Sequence, residues 1–469
     1  MSIKPIAYDL TEKQIEVVNY EGDELLVKGI AGSGKTTVLL RKASKMIEDN
    51  PSIKIGLFTY NKTLSTYAKY YANEIGPENL FVNTFHGWAF HALKQVMNMN
   101  WVKVANVKEQ TGFLKEAINM NSKENNNRFI NEDHYKEFLL EEISWIKGKG
   151  VIHTLTDYIN ISRVGRGGDV RVTKQDRPVI FSIYEAYEVS KKKAGKIDYD
   201  DYGLLIYNNK EKLRDQFKFD HVMIDEGQDL QQIQLMLLRY IAKEGFIIAA
   251  DKGQKIYKTS FAWKDIGINI LGGRTKILQN SFRSTKQIIQ MAHSLQLNDS
   301  IVQDEEYVAP ILPEYTGPKP DVYECISKQT QDAAIIISLQ NIRKDNPNAT
   351  IGILSKEWKS LRRLYYALQA AIIPHEFIEK GKGNAHTEGV KLTTFHSAKG
   401  LEFDYVIIID LNNDQEEIYN KEDEFLEVER RLLYVAITRA KTYLQLYYYD
   451  EPAQLLKEIN AAFYNKHKI

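Results

Sequence analysis

The stretch LLVKGIAGSGKTTVLLRKAS, residues 25–44, decides the fold of the first part of this chain. A strand-like apolar run leads into a glycine-rich turn, and a helix-like run follows the turn. Residues Gly29 to Thr36 match the pattern G-x-x-x-x-G-K-[ST]. In a strand–loop–helix setting, backbone N–H groups of such a loop converge on phosphate oxygens, and the helix N-terminus adds its positive end. The stretch therefore predicts a nucleotide-binding α/β domain.

Several positions in this loop have specific predicted roles. Lys35 would reach the β- and γ-phosphates of ATP, and the Thr36 hydroxyl would be a ligand of Mg²⁺. A glycine-rich turn that binds nothing is the alternative, and the lysine together with the flanking elements argues against it. The predicted nucleotide contacts in the loop are Gly29, Ala31, Gly32, Ser33, Gly34, Lys35, Thr36 and Thr37.

A second segment, FDHVMIDEGQDL at residues 219–230, favours hydrolysis over other uses of a nucleotide. Asp225 and Glu226 directly follow an apolar run, which is how a strand delivers acids to the carboxyl edge of a parallel sheet. Asp225 suits Mg²⁺, and Glu226 suits a base that orients or deprotonates the attacking water. A solvated acidic turn is the alternative for this pair alone.

Composition sets outer limits on fold and function. The chain has 469 residues, enough for two or more domains, and its 62 basic side chains equal its 62 acidic ones. Any nucleic-acid surface must therefore be local. The single cysteine, Cys325, fits a reducing compartment and an ordinary strand position. No export signal or membrane-spanning stretch is apparent, so we expect a cytoplasmic protein with no membrane partner.

Beyond these two segments, the chain resembles the UvrD/Rep-like DNA helicases of superfamily 1 through motifs that occur in the family's order. The segments that carry the resemblance are LTEKQ (10–14), IGLFTYNKTL (55–64), VNTFHGWA (82–89), IAADKGQKIY (248–257), LQNSFRS (278–284), LTTFHSAKGLEF (392–403) and VERRLLYVAITRAK (428–441). The family pattern usually has Asn where Ser281 stands and a larger residue where Gly227 stands. Neither departure removes a charge that the chemistry needs.

The resemblance implies roles for residues outside the phosphate loop. Gln14 would contact the adenine edge and Phe282 would stack on the base. Gln254 would sense the γ-phosphate. The implied catalytic residues are Lys35, Glu226, Gln254, Arg283 and Arg439, the two arginines acting as arginine fingers, and the nucleotide site would also include Gly400 and Glu402.

The resemblance also implies a path for single-stranded DNA, or for a junction of single and double strands. The implied contacts are Phe58, Thr59, Asn61, Thr84, His86, Tyr257, Trp263, Thr394 and His396. The segment QKIYKTSFAWKD is longer than usual before its tryptophan, so Phe261 or Trp263 could be the stacking residue.

The motif order predicts two RecA-like P-loop NTPase lobes with parallel sheets and a mainly helical insertion in the first. We expect the first lobe at residues 1–90 and 197–271, the insertion at 91–196 and the second lobe at 272–469. Within the insertion, residues 161–196 hold nine Lys or Arg against four acids. That tract could contact phosphates or be a solvated loop.

One absence bears on function. Full-length relatives carry a large inserted subdomain in the second lobe, but here 19 residues separate Pro374 from Thr394. The sequence therefore predicts a short form that translocates on single-stranded DNA, 3′ to 5′ by resemblance, using ATP and Mg²⁺, and unwinds at most short duplexes. The alternative is a DNA-gated ATPase switch that regulates a partner nuclease, for example in phage defence. A small-molecule P-loop enzyme is the weakest option, because the two distant arginines would then lack a purpose.

Overall fold

The computed structural model describes residues 9–59, 78–122, 127–163, 170–255, 263–270, 272–378, 387–413 and 423–469. Strands within these ranges form two separate sheets, and every strand pairing in them is parallel. Helices cover both faces of each sheet, so that apolar clusters lie on either side. The predicted α/β fold with two parallel-sheet lobes is confirmed.

The first sheet has the strand order β3-β2-β4-β5-β1-β6. Its strands are β1 Glu24–Gly29, β2 Ile55–Thr59, β3 Leu80–Thr84, β4 Phe219–Ile224, β5 Ala242–Ala250 and β6 Thr275–Leu278. Strands such as β2, whose five residues are all buried, read as continuous apolar runs because helices cover both of their faces. β4 and β1 flank β5, so the acidic segment and the phosphate loop emerge at the same carboxyl edge.

Strand β6 lies in the first sheet, although the sequence places residues 272 onward in the second lobe. It pairs in parallel with β1 from Leu26↔Thr275 to Gly29↔Leu278. The chain therefore crosses to the second sheet only after residue 278. The LQNSFRS segment, which begins at the last residue of this strand, consequently lies beside the phosphate loop.

The inserted helices branch from a short neck. Ala105 N–H donates to the Ile197 carbonyl at 2.7 Å, and Ile197 N–H donates to the Lys103 carbonyl at 3.0 Å. Helix Phe85–Val96 precedes this neck and packs in the core of the first lobe through Ala89, Ala92 and Leu93, although the sequence places residues from 91 onward in the insertion. The insertion has its own apolar core.

The second sheet has the order β13-β7-β12-β11-β8-β10-β9. Its strands are β7 Asp321–Cys325, β8 Thr350–Ser355, β9 His375–Phe377, β10 Gly389–Thr394, β11 Phe403–Ile408, β12 Ala440–Tyr449 and β13 Asn465–Lys468. The predicted strands that became β7, β8 and β10, and the two helices between β7 and β10, are confirmed, and the structure adds β9, which the sequence did not predict. Cys325 is a buried free thiol at the end of β7, as expected of a strand residue.

The helices of the first lobe and its insertion are Glu12–Val18, Lys35–Asp49, Phe85–Val96, Val107–Asn121, Arg128–Asn131, Lys136–Lys149, Leu155–Asn160, Arg177–Lys193, Asp201–Tyr207 and Gln232–Ile241. Those of the second part are Lys286–Gln296, Lys328–Asp345, Trp358–Ala370, Phe395–Ala398, Asp423–Ile437 and Gln454–Glu458. Among the helices described, none is both long and apolar enough to cross a bilayer.

Candidate functional site

The phosphate loop joins β1 to helix Lys35–Asp49 through two glycines in the left-handed region. Gly32 has φ +72° and Gly34 has φ +82°, values that favour glycine because it lacks a Cβ. The Lys35 amine is buried and donates to the carbonyls of Gly29 and Ile30, both at 2.9 Å. It also lies 3.6 Å from Asp251 Oδ2. The Lys35 side chain thus folds back over the phosphate loop.

Two buried hydroxyls at this loop make no hydrogen bond among the described residues: those of Ser33 and Ser281. A Cβ built on Gly32 would lie 2.8 Å from the Ser281 hydroxyl and 2.7 Å from Arg283 Cβ. In addition, Phe282 N–H donates to the Gly32 carbonyl at 2.9 Å. The segment that follows β6 therefore closes one side of the loop. Unpaired buried hydroxyls carry a cost that a phosphate oxygen would remove.

Gln14 is held against the phosphate loop by its own helix cap. The Thr11 and Gln14 side chains form a reciprocal capping box at the start of helix Glu12–Val18. The Gln14 amide also donates to the Ser33 carbonyl at 3.1 Å, and the side chain is buried. Phe282, the other residue implied at the base, is 57% exposed. The residues predicted to flank a nucleotide base thus lie beside the loop, and their roles stay predictions.

The two acids at the end of β4 take up different positions. The Thr36 hydroxyl donates to Asp225 Oδ2 at 2.5 Å, which brings two hard oxygen ligands together beside the loop. Glu226 follows with φ +55° and ψ 42°, a strained conformation for a residue other than glycine. Its carboxylate accepts from the Gln228 amide at 2.5 Å. The Thr36 and Asp225 oxygens fit a magnesium ion, while the turn aims Glu226 separately.

Burial and charge act differently on the buried acids. Burial raises the pKa of Asp225 and the adjacent Glu226 adds to this, whereas the Thr36 hydroxyl opposes it. Burial would also raise the pKa of Glu226, but Lys399 and Lys35 hold it below its usual range. Burial raises the pKa of Asp229 to about 7 against the opposing charge of Lys399. Glu226 is therefore kept ionised by its neighbours. Asp225, whose pKa is raised, would be stabilised as a carboxylate by a bound cation.

The second lobe reaches across to the first through two buried cations. Arg439 is 1% exposed and donates to the Val435 carbonyl and to Gln254 Oε1, both at 2.9 Å. The Lys399 amine donates to the Gln254 carbonyl at 2.7 Å and pairs with Asp229 Oδ2 at 2.7 Å. Gln254 in turn donates to Asp251 Oδ2 at 2.5 Å. The seam between the sheets is thus bridged at Gln254.

Arg283 lies in the same seam. Its Nε donates to Glu402 Oε2 at 2.9 Å, and Lys441 pairs with the other oxygen of Glu402 at 3.1 Å. Burial would raise the pKa of Glu402, but Arg283 and Lys441 lower it to about 2. Burial and the neighbouring Arg283 guanidinium lower the pKa of Arg439 to about 9. Two guanidinium groups that repel each other in a buried seam favour an anion between the lobes.

The structure brings the residues predicted for catalysis and for magnesium together with the phosphate loop. Gly400, with φ +82°, follows Lys399, and Thr37 lies half-buried in the first turn of its helix. Sequence reasoning missed Lys399, Asp229 and Asp251 as parts of this seam. The signal was present for Asp229 in the quoted acidic segment and for Lys399 beside Gly400.

Two of the predicted DNA contacts form matching helix caps, one in each lobe. Thr84 ends β3 and accepts from Gly87 N–H at 3.1 Å, and Thr394 ends β10 and accepts from Ser397 N–H at 3.3 Å. Each is followed by a buried phenylalanine and then by a histidine. His86 is half-buried and its ring lies 5.4 Å from that of Tyr199, whereas His396 is exposed.

Other predicted DNA contacts differ in the structure. Phe58 is 0% exposed and packs edge-on against Trp88 and Phe219, so the prediction that its ring contacts DNA is wrong. Trp263 is 7% exposed and belongs to the same apolar core, so its stacking role is corrected likewise. Both rings are apolar side chains that the fold uses to fill the first lobe. Thr59 is buried at the end of β2, while Asn61, Tyr257 and Phe261 lie outside the described residues.

Part of the basic tract at residues 161–196 is taken up by internal ion pairs. Arg163 pairs with the buried carboxylate of Glu142, and Lys196 pairs with Glu109. Lys191 pairs with Asp201 at 2.6 Å. These charges are neutralised within the insertion, which leaves less of the local excess for a phosphate backbone than the sequence count indicates. By contrast Tyr199, which sequence reasoning missed, is 56% exposed beside His86.

Comparison with known proteins agrees with this geometry. Residues 10–266 match the model of the UvrD/REP helicase N-terminal domain, and residues 379–451 match that of the UvrD-like helicase C-terminal domain. A probable DNA helicase II homolog of Mycoplasma capricolum is 23% identical over 73% of this chain and 48% of its own length. The ATP-dependent DNA helicase Rep of Buchnera aphidicola is 24% identical over 79% of this chain and 54% of its own length.

The chain thus spans about half the length of the curated relatives it matches. Among solved structures, the C-terminal domain of a possible DNA helicase from Lactobacillus plantarum is 26% identical with a TM-score of 0.31, covering 40% of this chain and 98% of that one. That score is too low to support an argument. Since the N-terminal family model alone covers more than half of the sequence, and since its motif residues meet in one seam, this chain belongs to the UvrD/REP helicase family.

Proposed function

We propose that this chain is a DNA-dependent ATPase that moves along single-stranded DNA, in the 3′ to 5′ direction by analogy with its family. The observation that carries the proposal is the contact between Arg439 of the second lobe and Gln254 of the first, next to Glu226. It makes the nucleotide site a shared property of both lobes. Hydrolysis in such a site depends on lobe closure, so chemistry and movement are coupled.

ATP binding begins at the phosphate loop. The Lys35 amine, which now donates to two backbone carbonyls, exchanges them for β- and γ-phosphate oxygens, which are stronger, charged acceptors. Gln14 and Phe282 lie beside the loop, where they can contact the adenine. Thr36 and Asp225 would hold Mg²⁺, which would neutralise negative charge on the phosphates.

Hydrolysis then uses groups from both lobes. Glu226, kept ionised by Lys399 and Lys35, accepts a proton from the attacking water. Arg283 and Arg439 stabilise the charge that spreads over the transferring phosphoryl group, a contribution of about 10³ to 10⁵ in rate for an arginine finger. Gln254 contacts both Asp251 and Arg439, so a shift of Gln254 on phosphate binding or release would move a contact of the second lobe.

The DNA path follows the carboxyl edges of the two sheets. Thr84 with His86 and Thr394 with His396 present the same cap and ring in both lobes, which suits two successive backbone contacts on one strand. The exposed ring of Tyr199 beside His86 offers a stacking surface, and base stacking on an aromatic ring is worth about 1–3 kcal/mol. Movement of the lobes would shift one set of contacts relative to the other.

The test is ATP turnover by the wild type and by Lys35→Ala, each with single-stranded DNA, duplex DNA and RNA. We expect single-stranded DNA to stimulate the wild type most and Lys35→Ala to be inactive throughout. Turnover that single-stranded DNA leaves unchanged would contradict the proposal. Unwinding is tested separately on short duplexes with a single-stranded tail of either polarity.

The role of a switch subunit for a partner nuclease stays a prediction. Co-purification from the native host tests it, since a stable nuclease in fixed proportion to this chain would favour it.

A further inference from the structure

The buried amine of Lys399 crosses the seam and holds a turn that belongs to the first lobe. It lies 2.9 and 2.7 Å from the two carboxylate oxygens of Asp229 and donates to the Gln254 carbonyl at 2.7 Å. The side chains of Lys399 and Asp229 are 4% and 0% exposed. Both groups are therefore buried at this contact between the lobes.

The turn that Lys399 holds is the one that aims Glu226. Residues Gly227–Asp229 form a single 3₁₀ turn directly after Glu226. Within it, Gln228 donates to Glu226 Oε2 at 2.5 Å and accepts from Asp251 N–H at 2.9 Å. Fixing Asp229 at the end of the turn therefore also fixes the residue that orients Glu226.

A buried ion pair is weak evidence for stability, because the cost of removing two charges from water offsets their attraction. This ion pair across the seam therefore needs a role other than stabilisation of the fold. The described contacts of Lys399 hold Asp229 and the Gln254 carbonyl, next to the turn that carries Glu226. Its effect should therefore fall on the rate of hydrolysis and spare nucleotide binding.

We propose that Lys399 is a positioning residue: when the lobes close, it clamps Asp229 and the Gln254 carbonyl and so sets the turn that aims Glu226 at the attacking water. This inference rests on the proposed ATPase function and adds the link by which closure reaches the base. Misplacement of a reacting group by about 1 Å can cost about 10²-fold in rate.

The test compares Lys399→Met, Asp229→Asn and the double variant with the wild type, measuring kcat and KM for ATP with saturating single-stranded DNA, together with the melting temperature. Lys391→Met is the matched control. Lys391 is likewise buried in the second lobe, but it pairs with Glu376 inside that lobe. It therefore reports what loss of a buried lysine does without loss of the clamp.

We expect Lys399→Met to lower the DNA-stimulated kcat about 10- to 100-fold with KM within about threefold, because Glu226 loses its positioning together with a charge that keeps it ionised. Lys391→Met should keep kcat. The double variant should recover the melting temperature lost in Lys399→Met, because no buried charge is left unpaired, yet remain slow. A double variant that regains kcat would show that Lys399 only neutralises Asp229, and would overturn the proposal. A wild type without DNA-stimulated turnover would instead overturn the proposed function, and the inference with it.

Discussion

Replacement of Glu226 by glutamine is the sharpest perturbation of the proposed base. Glutamine has the same shape, so it can keep the contact with Gln228, and its cost in the left-handed conformation at φ +55° is similar. The change removes the carboxylate that Lys399 and Lys35 keep ionised despite burial. Only the proton acceptor and its charge are lost.

The expected magnitude follows from the role of the group. Proton transfer to a positioned side chain contributes about 10²- to 10⁴-fold to the rate, or about 3–5 kcal/mol of barrier at 1.36 kcal/mol per tenfold. Because the phosphate loop and Lys35 are unchanged, ATP should bind at least as tightly as in the wild type. Loss of a negative charge near the phosphates acts in the same direction.

The assay combines single-turnover hydrolysis with a direct binding titration of ATP, both with single-stranded DNA present. Glu244→Gln is the control, since this acid lies on the same lobe with 66% of its side chain exposed and, in the contacts described, pairs only with His221. We expect the control to match the wild type. Hydrolysis by Glu226→Gln within about threefold of the wild type would refute the assignment of the base, because a base contributes at least about 10²-fold.

The remaining predictions concern the phosphate loop and the buried acids. Lys35→Ala should lower steady-state turnover below about 1% of the wild type with an unchanged circular dichroism melt, because its charge meets the transferred phosphate; residual activity above that level would contradict its role. Gly34→Ala should cost about 1–2 kcal/mol in urea unfolding, since φ is +82° and the new Cβ would lie 2.5 Å from the Gln14 amide, and should weaken ATP binding; a neutral change would contradict the loop geometry. Because burial raises the pKa of Asp229 from 3.8 to about 7, folding takes up a proton between these values, and stability contributed by this group falls as pH rises through that window. Melting temperatures of Asp229→Asn should therefore decline less between pH 4 and pH 7 than those of the wild type, and an equal decline would contradict the burial argument.

The nucleotide side of the site could be predicted from sequence because its geometry is local. A glycine-rich turn between a strand and a helix, and acids at the end of an apolar strand, are placed by neighbours in the chain. Gly32, Lys35, Thr36 and Asp225 accordingly meet as the spacing indicates. The order of the motifs also predicts the two sheets and the insertion within the first lobe.

The errors have a different origin, since burial is decided by distant parts of the chain. Phe58 lies in a motif-like segment, but β3, β4 and helix Phe85–Val96 enclose its ring with Phe81, Phe219 and Trp88. Part of the charge of the basic tract is likewise neutralised by distant residues, Glu142 and Glu109, which lie on other helices. Strand β6 pairs with β1 across some 250 residues of sequence, which no local pattern could show.

The contact of Lys399 across the seam could not be predicted from motifs, because it also depends on distant parts of the chain. Its partner Asp229 lies 170 residues earlier in the chain, and only the approach of the two lobes brings the charges together.

The most direct test of the central claim is the rate of ATP hydrolysis by Arg439→Lys, measured in single turnover beside its ATP dissociation constant. Lysine keeps a positive charge in the seam, but one amine cannot replace the fork that donates to Val435, Leu401 and Gln254. If a guanidinium group from the second lobe completes the site, hydrolysis should fall at least about 100-fold while the dissociation constant stays within about fivefold. Hydrolysis at the wild-type rate would show that the second lobe does not act on the nucleotide.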